Sequence, residues 1–321
     1  MKSRESVFVE AAARLHFGVL DLRAEHGRWF GGLGASAPGP TLLVSASIAD
    51  RLEVRGEDAV RATVFAERFL AHHGITRGAL VHVHRALLPH AGLGSGTQLA
   101  LAVARALAEI HGVSSDAVDL TRAVGRGQRS AVGTWTFAGP GLVVEGGRRL
   151  DREECGPLIA RLPFPAAWRC VVAIPDSKPG MSGDGEAAAF DRLPSPPAGE
   201  VEHVAYLVLM SLLPAVADAD IAAFGAALNE IQELTGRWFA PVQGGTFAPG
   251  PAAALVRDIR AWGAAGVGQS SWGPAVYGIV EDERAGAELA DYVHQIVDGA
   301  GTVVVGEFPT SGARVWHASS D

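Results

Sequence analysis

The stretch of this chain best equipped for chemistry is Pro89-His90-Ala91-Gly92-Leu93-Gly94-Ser95-Gly96-Thr97-Gln98. Glycines at 92, 94 and 96 remove the side chains that would keep an anion away from the backbone. The apolar segment that follows, Thr97 to Ile110, reads as a buried helix whose first amides have no partner within it. Loop and helix start together make an anion site or, as the plain alternative, a tight structural entry into the helix. The spacing excludes two common phosphate loops. No Gly-Lys-Ser/Thr follows at the Walker distance, and the third glycine of a dinucleotide fingerprint would fall at Thr97.

An anion held there needs positive charge nearby. The chain as a whole is acidic, with a formal charge of -8, which excludes general attraction to nucleic acid or to an anionic membrane surface. Lys2 and Lys178 are the only lysines, so nearly all positive charge is arginine, which binds phosphate oxygens in pairs. Arg14 and Arg28 flank His16 and Asp21 in one stretch. Arg14 is a phosphate ligand or a surface charge on an edge strand. Asp21 follows the apolar pair Val19-Leu20, a costly place for an unpaired carboxylate. It faces a positive centre, helps hold a metal, or pairs with Arg23 or Arg28. His16 donates to a phosphate, takes part in proton balance, or closes a strand end. Lys178, in the polar loop from Pro175 to Gly183, is an exposed lysine or a point charge on a lid. Trp135, Trp272 and Phe30 can stack on an aromatic ligand, with core packing as the alternative. His82 and His84 share a strand face, without an evident third ligand for a metal.

The elements that must position these groups read as α+β, helices and strands interleaving without strict βαβ order. Strands are expected at Ser6 to Leu15, Thr41 to Ser47, Arg51 to Arg55 and Ala79 to Arg85, with Gly27 to Gly39 a glycine-rich connection. Glu57 to His73 has helical spacing closed by Gly74, and Ser114 or Ser115 caps a helix running to about Val124. Ala131 to Phe137 and Leu142 to Glu145, around Ala138-Gly139-Pro140-Gly141, read as a hairpin. Charge and proline between Gly147 and Pro165 mark a domain boundary, giving domains 1–155 and 156–321. The second domain is expected to hold a strand at Trp168 to Ile174, a long irregular loop to about Pro197, and helices at Val201 to Leu213 and Ala219 to Leu234. Helices at Pro251 to Trp262 and Glu283 to Val297 then flank strands at Ala275 to Val280 and Thr302 to Gly306.

Cys155 and Cys170 are too few for a disulfide framework or a cysteine-built metal site, in keeping with a reducing cytoplasm. The apolar run Val204 to Val216 is broken by Ser211 and Pro214, so no membrane span is expected. Glu5, Glu10 and Arg14 interrupt what a signal peptide would keep apolar.

The Pro-x-x-x-Gly-Leu-Gly-Ser pattern resembles the phosphate motif of the GHMP kinases, which usually continue with Ser-Ala where this chain has Gly96-Thr97-Gln98. That continuation is similar instead to the β-ribofuranosylaminobenzene 5'-phosphate synthase family of the same superfamily. Arg14-Leu15-His16-Phe17-Gly18, Asp21-Leu22 and Gly27-Arg28-Trp29-Phe30-Gly31-Gly32 resemble that family's N-terminal signature. Gly125-Arg126-Gly127-Gln128-Arg129-Ser130-Ala131-Val132-Gly133 and Gly266-Val267-Gly268-Gln269-Ser270-Ser271-Trp272-Gly273 resemble its later ones. The resemblance implies a two-domain GHMP-kinase-like fold, with a ribosomal-S5-domain-2-like first domain and a ferredoxin-like second. It implies transfer of phosphoribose from 5-phosphoribosyl 1-pyrophosphate to 4-aminobenzoate, with decarboxylation, in tetrahydromethanopterin synthesis. Asp21, His16 and Arg28 would serve catalysis. Arg14, Gly92, Leu93, Gly94, Ser95, Gly96, Thr97, Gln98 and Lys178 would hold phosphates, and Gln128, Ser130, Gly268, Gln269 and Ser270 would form substrate loops. Mg²⁺ would accompany the pyrophosphate, no organic cofactor is expected, and the assembly would be a cytoplasmic homodimer. An ATP-dependent small-molecule kinase and a non-catalytic phosphometabolite-binding protein are the competing readings.

Overall fold

The computed structural model describes residues 5–319 apart from 153, 178, 179 and 182, so Lys2 and Lys178 lie outside the described residues. The chain begins with a long antiparallel hairpin, β1 (Glu5–Asp21) and β2 (Arg28–Ile48). Val7, Val9, Ala11, Ala13, Leu15 and Phe17 alternate onto the buried face of β1, the period of a half-buried strand. The Gly27 to Gly39 stretch is not a connection but the first half of β2. Its glycines permit close pairing: a Cβ on Gly34 would lie 2.1 Å from the Leu15 carbonyl oxygen. The register shifts between Ala12 and Arg14, where β2 carries the extra residues, and between His16 and Gly18, where β1 carries one, and Arg14 and His16 lie between the two irregularities.

β4 (Ala79–Arg85) and β3 (Glu53–Gly56) extend this sheet beyond one half of β2. The other half carries β5 (Leu142–Glu145) and β6 (Arg148–Arg149), and β5 in turn pairs with β7 (Leu158–Leu162). A C-terminal strand, β12 (Arg314–Ser319), returns to pair with β1. The second half of the chain therefore contributes β7 and β12 to the first sheet. Helices α1 (Ala59–His72), α2 (Ser95–His111), α3 (Ala117–Ala123) and α4 (Val132–Ala138) accompany it. Ala100, Ala102, Ala104, Ala106 and Ala108 are all fully buried in α2, and their small size allows it close to both long strands.

Two local expectations fail here for physical reasons. Ala131 to Phe137 is no hairpin strand. Val132, Thr134 and Thr136 mimic strand alternation, but α4 is buried on several sides against α2, α3 and β2, and packing overrides propensity. The cap of α3 is Asp116, whose carboxylate accepts from the Val118 and Asp119 amides and outcompetes the preceding serines.

The second sheet has the order β11-β8-β10-β9, built from β8 (Arg169–Pro175), β9 (Gly266–Gln269), β10 (Val276–Val280) and β11 (Gly301–Glu307), all antiparallel. Counted within the sheet this is 4-1-3-2, the ferredoxin-like order the resemblance implied. The loop expected to Pro197 contains a short helix, α5 (Gly183–Phe190). Next, α6 (Ala198–Leu207) runs through a π-helical turn, Val208–Leu212, into α7 (Leu213–Ala217). Ser211 and Pro214 do not break this helix, because the π-helical turn just before Pro214 widens the backbone where the proline ring and its missing N–H must fit. The 20 residues Ala198–Ala217 are long and apolar enough to cross a membrane by length and composition alone, yet they include Glu200, Glu202 and His203. Val204, Leu207, Leu212 and Val216 are buried, and the segment packs against α8 (Ile221–Gln243). α9 (Pro251–Trp262) and α10 (Glu283–Val297) cover one face of the second sheet with their own core, and the other face joins the main core, where Phe17 meets Tyr277 at 4.9 Å.

Candidate active site

The glycine loop is clamped between the two halves of the fold. Gly92 (φ 77°) and Gly94 (φ 71°) adopt left-handed backbone that other residues resist, and each also abuts a neighbour. A Cβ on Gly92 would meet the Ser270 carbonyl oxygen at 2.2 Å, and one on Gly94 the Arg14 Cγ at 2.8 Å. The Arg14 amide donates to the Leu93 carbonyl (2.9 Å), its guanidinium to the Gly92 carbonyl (2.7 Å), and Ala275 N–H to the Ala91 carbonyl (3.1 Å). Ser270 completes the clamp. Its hydroxyl accepts from the His16 amide at 2.9 Å and donates to the Gly92 carbonyl at 2.6 Å.

Thr97 and Gln98 donate their amides to the Gly94 carbonyl, leaving the Ser95 and Gly96 amides at the mouth of α2 with no acceptor in the helix. Ser95 and Gly96 border an open cavity that is also lined by Arg14, Arg61, Arg126 and Arg129. Arg126 donates to the Thr97 hydroxyl at 3.2 Å. Burial lowers the pKa of Arg126, and the neighbouring Arg129, Arg61 and Arg68 add to this while Glu186 opposes it. Burial likewise lowers Arg14 to about 10, opposed by Glu186 and reinforced by Arg126. Arg14 stays cationic at neutral pH, and the crowding of like charge is what a bound polyanion would relieve.

A second cavity opens on the same side chains, sharing Arg14, Arg129, Ser130, Glu186 and Ser271 with the first. Its walls are aromatic. Phe190 meets Phe30 at 5.2 Å, Phe239 at 5.8 Å and Trp272 at 5.8 Å, each edge to face. Phe30 holds φ 73°, a strained conformation for a bulky residue, and places its ring in this wall. Gln232, Gln243 and Gln269 supply the polar lining, and much of their hydrogen-bonding capacity is used internally. Gln269, for instance, donates to Gln243 and the Ser271 carbonyl and accepts from the Ala248 amide.

Glu186 sits where the cavities join. Its carboxylate pairs with Arg129 at 2.6 Å and accepts from the Trp272 indole N–H at 3.1 Å, linking the halves across the junction. It is the one carboxylate among the described residues lining either cavity. His16 is 7% exposed, and its Nε2 lies 3.2 Å from the Ser130 hydroxyl. Burial, with help from the Arg14 charge, lowers its pKa to about 3, so the ring is neutral at physiological pH and cannot act as a cationic phosphate ligand.

The residues singled out from the sequence divide on this geometry. Arg14, Gly92, Leu93, Gly94, Ser95, Gly96, Thr97, Gln128 and Ser130 line the glycine-loop cavity, and His16 and Gln269 the aromatic one. Gln98 is 1% exposed, donates to the Gly133 carbonyl and lines neither cavity, and Gly268 and Ser270 are likewise buried behind the surface. Asp21 closes a turn by accepting from the Arg23 amide at 2.6 Å, and Arg28 donates to the Gly147 carbonyl at 2.9 Å. Neither lines either cavity. Trp272 and Phe30 line the aromatic cavity, whereas Trp135 donates to the Gly156 carbonyl and does not. His84 bonds the Ser45 hydroxyl, and among the described residues no group of three His, Cys, Asp or Glu is placed to hold a metal. Arg61, Glu186 and Phe190 lie outside the sequence motifs, and Arg126, Arg129 and Ser271 lie inside them without a role assigned from the sequence. Arg126 and Arg129 had a legible signal, two arginines in a loop opened by Gly125 and Gly127, but Arg61 and Glu186 arrive from helices by tertiary packing alone.

Comparison with known proteins gives the following. Residues 59–138 match the GHMP kinases N terminal domain and residues 212–298 the GHMP kinases C terminal family. A β-ribofuranosylphenol 5'-phosphate synthase of Methanothermobacter thermautotrophicus is 34% identical over 93% of this chain and 95% of its own. One from Archaeoglobus fulgidus is 35% identical over 87% and 90%, respectively. Among solved structures, homoserine kinase from Cytophaga hutchinsonii superposes with a TM-score of 0.72 at 17% identity, covering 97% of both chains. Phosphomevalonate kinase from Streptococcus pneumoniae gives 0.70 at 14% identity, covering 94% of this chain and 99% of that one. The structural likenesses speak to fold alone.

Proposed function

Because the chain belongs to the β-ribofuranosylphenol 5'-phosphate synthase family of the GHMP kinase superfamily, we propose that it is a decarboxylating pentosyltransferase. It transfers phosphoribose from 5-phosphoribosyl 1-pyrophosphate to 4-aminobenzoate, forming β-ribofuranosylaminobenzene 5'-phosphate for tetrahydromethanopterin synthesis. One observation carries the reading: an aromatic-walled cavity opens directly onto an arginine-lined glycine loop, so a flat acid and a diphosphate can meet at one point.

The chemistry balances without a protein base. The anomeric C–O bond breaks, and its electrons leave with pyrophosphate. The ring carbon bearing the carboxylate bonds to the anomeric carbon, and the C–CO₂ bonding pair then returns to the ring as carbon dioxide departs. No ring proton is lost, which suits a neutral His16. Arg14, Arg126 and the Ser95 and Gly96 amides hold the departing pyrophosphate, and catalysis is chiefly positioning and charge stabilisation. Glu186, beside the shared junction, favours positive charge at the anomeric carbon.

Mg²⁺ is proposed to enter with the pyrophosphate. An ion carried largely by phosphate oxygens and water needs little from the protein, and Ser95 lines the cavity where it would enter, whereas both Glu186 oxygens are engaged by Arg129 and Trp272. When bound, it neutralises the leaving group. A cytoplasmic homodimer completes the proposal. Free Cys155 and Cys170 are in keeping with that compartment, and sedimentation at assay concentration checks the assembly.

A second reading concerns the acceptor alone, since the relatives' name specifies a ribofuranosylphenol product and hence a hydroxylated ring. Incubating the protein with donor, Mg²⁺ and either 4-aminobenzoate or 4-hydroxybenzoate, then weighing the products by mass spectrometry, tests both. The first reading expects the aminobenzene product at higher kcat/KM. Preference for 4-hydroxybenzoate would replace it, and no product from either acid would remove both.

A further inference from the structure

The donor has two anionic ends, and the proposed reaction assigns only one of them, the pyrophosphate, to the glycine loop. If the reading above holds, attack and departure occur on opposite faces of the anomeric carbon, with acceptor in the aromatic cavity and pyrophosphate at the glycine loop. The ribose then lies at their junction, and openings that adjoin the junction are the places to look for its 5'-phosphate. Two further openings adjoin the aromatic cavity. One shares Gln243 and Trp272 with it and holds Asp176 but no cation among the described residues. The other shares Phe30, Arg129 and Phe190 with it, also shares Gln128 and Arg129 with the glycine-loop cavity, and contains Arg148.

We propose that this groove between Arg148, Arg129 and Gln128 is the subsite for the donor's 5'-phosphomonoester. Arg148 is laid into place by its backbone pairing with Trp29, and its guanidinium sits over the rings of Trp29 at 5.6 Å and Phe30 at 5.9 Å. That stacking fixes the plane of the guanidinium and leaves its edge for an anion. Its one hydrogen bond among the described residues is a long contact to the Arg149 carbonyl at 3.5 Å, and it forms no ion pair there. Asp191 also lines the groove and is likewise in no ion pair among the described residues. Trp29 also lines the groove, and its buried indole N–H has no acceptor among the described residues. Arg28 gains a role in this arrangement, since its bond to the Gly147 carbonyl pins the hairpin that carries Arg148.

The inference rests on the proposed reaction, so its test separates the two by using half-donor probes. Calorimetric titration of the full chain with ribose 5-phosphate and, separately, with Mg²⁺-pyrophosphate is compared between wild type and Arg148→Gln. The substitution is expected to weaken ribose 5-phosphate by about tenfold or more, the scale of a lost charge-assisted pair. Pyrophosphate affinity is expected to stay within about twofold, and Arg148→Lys, which keeps the charge, to recover part of the loss. In turnover, KM for the donor should rise by a similar factor with KM for the acceptor unchanged. Equal weakening of both probes, or undiminished ribose 5-phosphate binding in Arg148→Gln, overturns the subsite while turnover by wild type still supports the reaction. A wild-type chain that binds neither probe and consumes no donor overturns the subsite and the reaction together.

Discussion

The glycine-loop cavity and the aromatic cavity meet at the same five side chains but are built in different ways. The first is largely one contiguous segment plus arginines that converge on it, and two of its glycines are fixed by backbone conformation and by close contact with neighbours. The second has no contiguous core. Phe30 comes from β2, Phe190 from α5, Phe239 from α8 and Trp272 from the turn after β9. The backbone that faces the anion is local in sequence and rigid, whereas the arginines around it and the whole aromatic wall are assembled from distant elements. Damage to one cavity should leave ligand binding in the other nearly intact.

Substitutions can break that comparison. The largest effect is expected from Arg126→Ala, which removes a buried guanidinium from the first cavity alone. Pyrophosphate affinity should fall by about a hundredfold, the scale of losing one member of a buried charged contact, with acceptor binding unchanged. Equal loss of both ligands in calorimetry would show that the cavities are not separable. Next comes Phe190→Ala in the second cavity. It should raise the acceptor KM by roughly tenfold, in line with about 1.5–3 kcal/mol for burying an aromatic face, without altering pyrophosphate binding. Gly94→Ala tests the rigidity of the loop. Left-handed backbone costs a non-glycine residue about 1–2 kcal/mol, and the new Cβ would press on Arg14, so a lower melting temperature and weaker pyrophosphate binding should appear together. Loss of stability with unchanged affinity would mean that Arg14 is not held by this contact.

The smallest expected effects are those of pH. A neutral His16 with a pKa of about 3 predicts no inflection in kcat from that ring between about pH 5 and 8, checked by steady-state profiles. Glu145 behaves differently. Fully buried, it accepts from the Ala131 amide at 3.2 Å and the Gly147 amide at 2.7 Å, and burial raises its pKa to about 7 against the opposing pull of those bonds. The folded state therefore binds more protons than the unfolded state between the ordinary carboxylate value and about 7, and stability from this group falls as pH rises through that window. Denaturant titrations at the two ends of the window should show this slope in wild type and not in Glu145→Gln.

The same contrast explains what the sequence disclosed. The glycine loop, α2, β4, α9 and α10 were readable because each is set by local spacing, a terminal glycine or a first-turn proline. The run of small residues from Gly27 to Gly39 read as a connection because the pairing that makes it strand comes from β1. β12 and β7 were not visible, since their partners lie hundreds or tens of residues away. Ser270 drew notice as part of a glycine-rich motif, yet its role is to tie His16 to Gly92, and Ser271 beside it lines both cavities. Glu186 had no sequence signal because its meaning comes only from Arg129 and Trp272 meeting across the junction.

The most direct test of the joined cavities is a crystal structure of the protein soaked with Mg²⁺-pyrophosphate and 4-aminobenzoate together. The expected result is pyrophosphate on the Ser95 and Gly96 amides with Arg14 and Arg126, and the acid among Phe190, Phe239 and Trp272 with its carboxyl-bearing carbon toward Arg129. Pyrophosphate bound elsewhere, or a nucleotide base taking the aromatic cavity in competition with the acid, would contradict it.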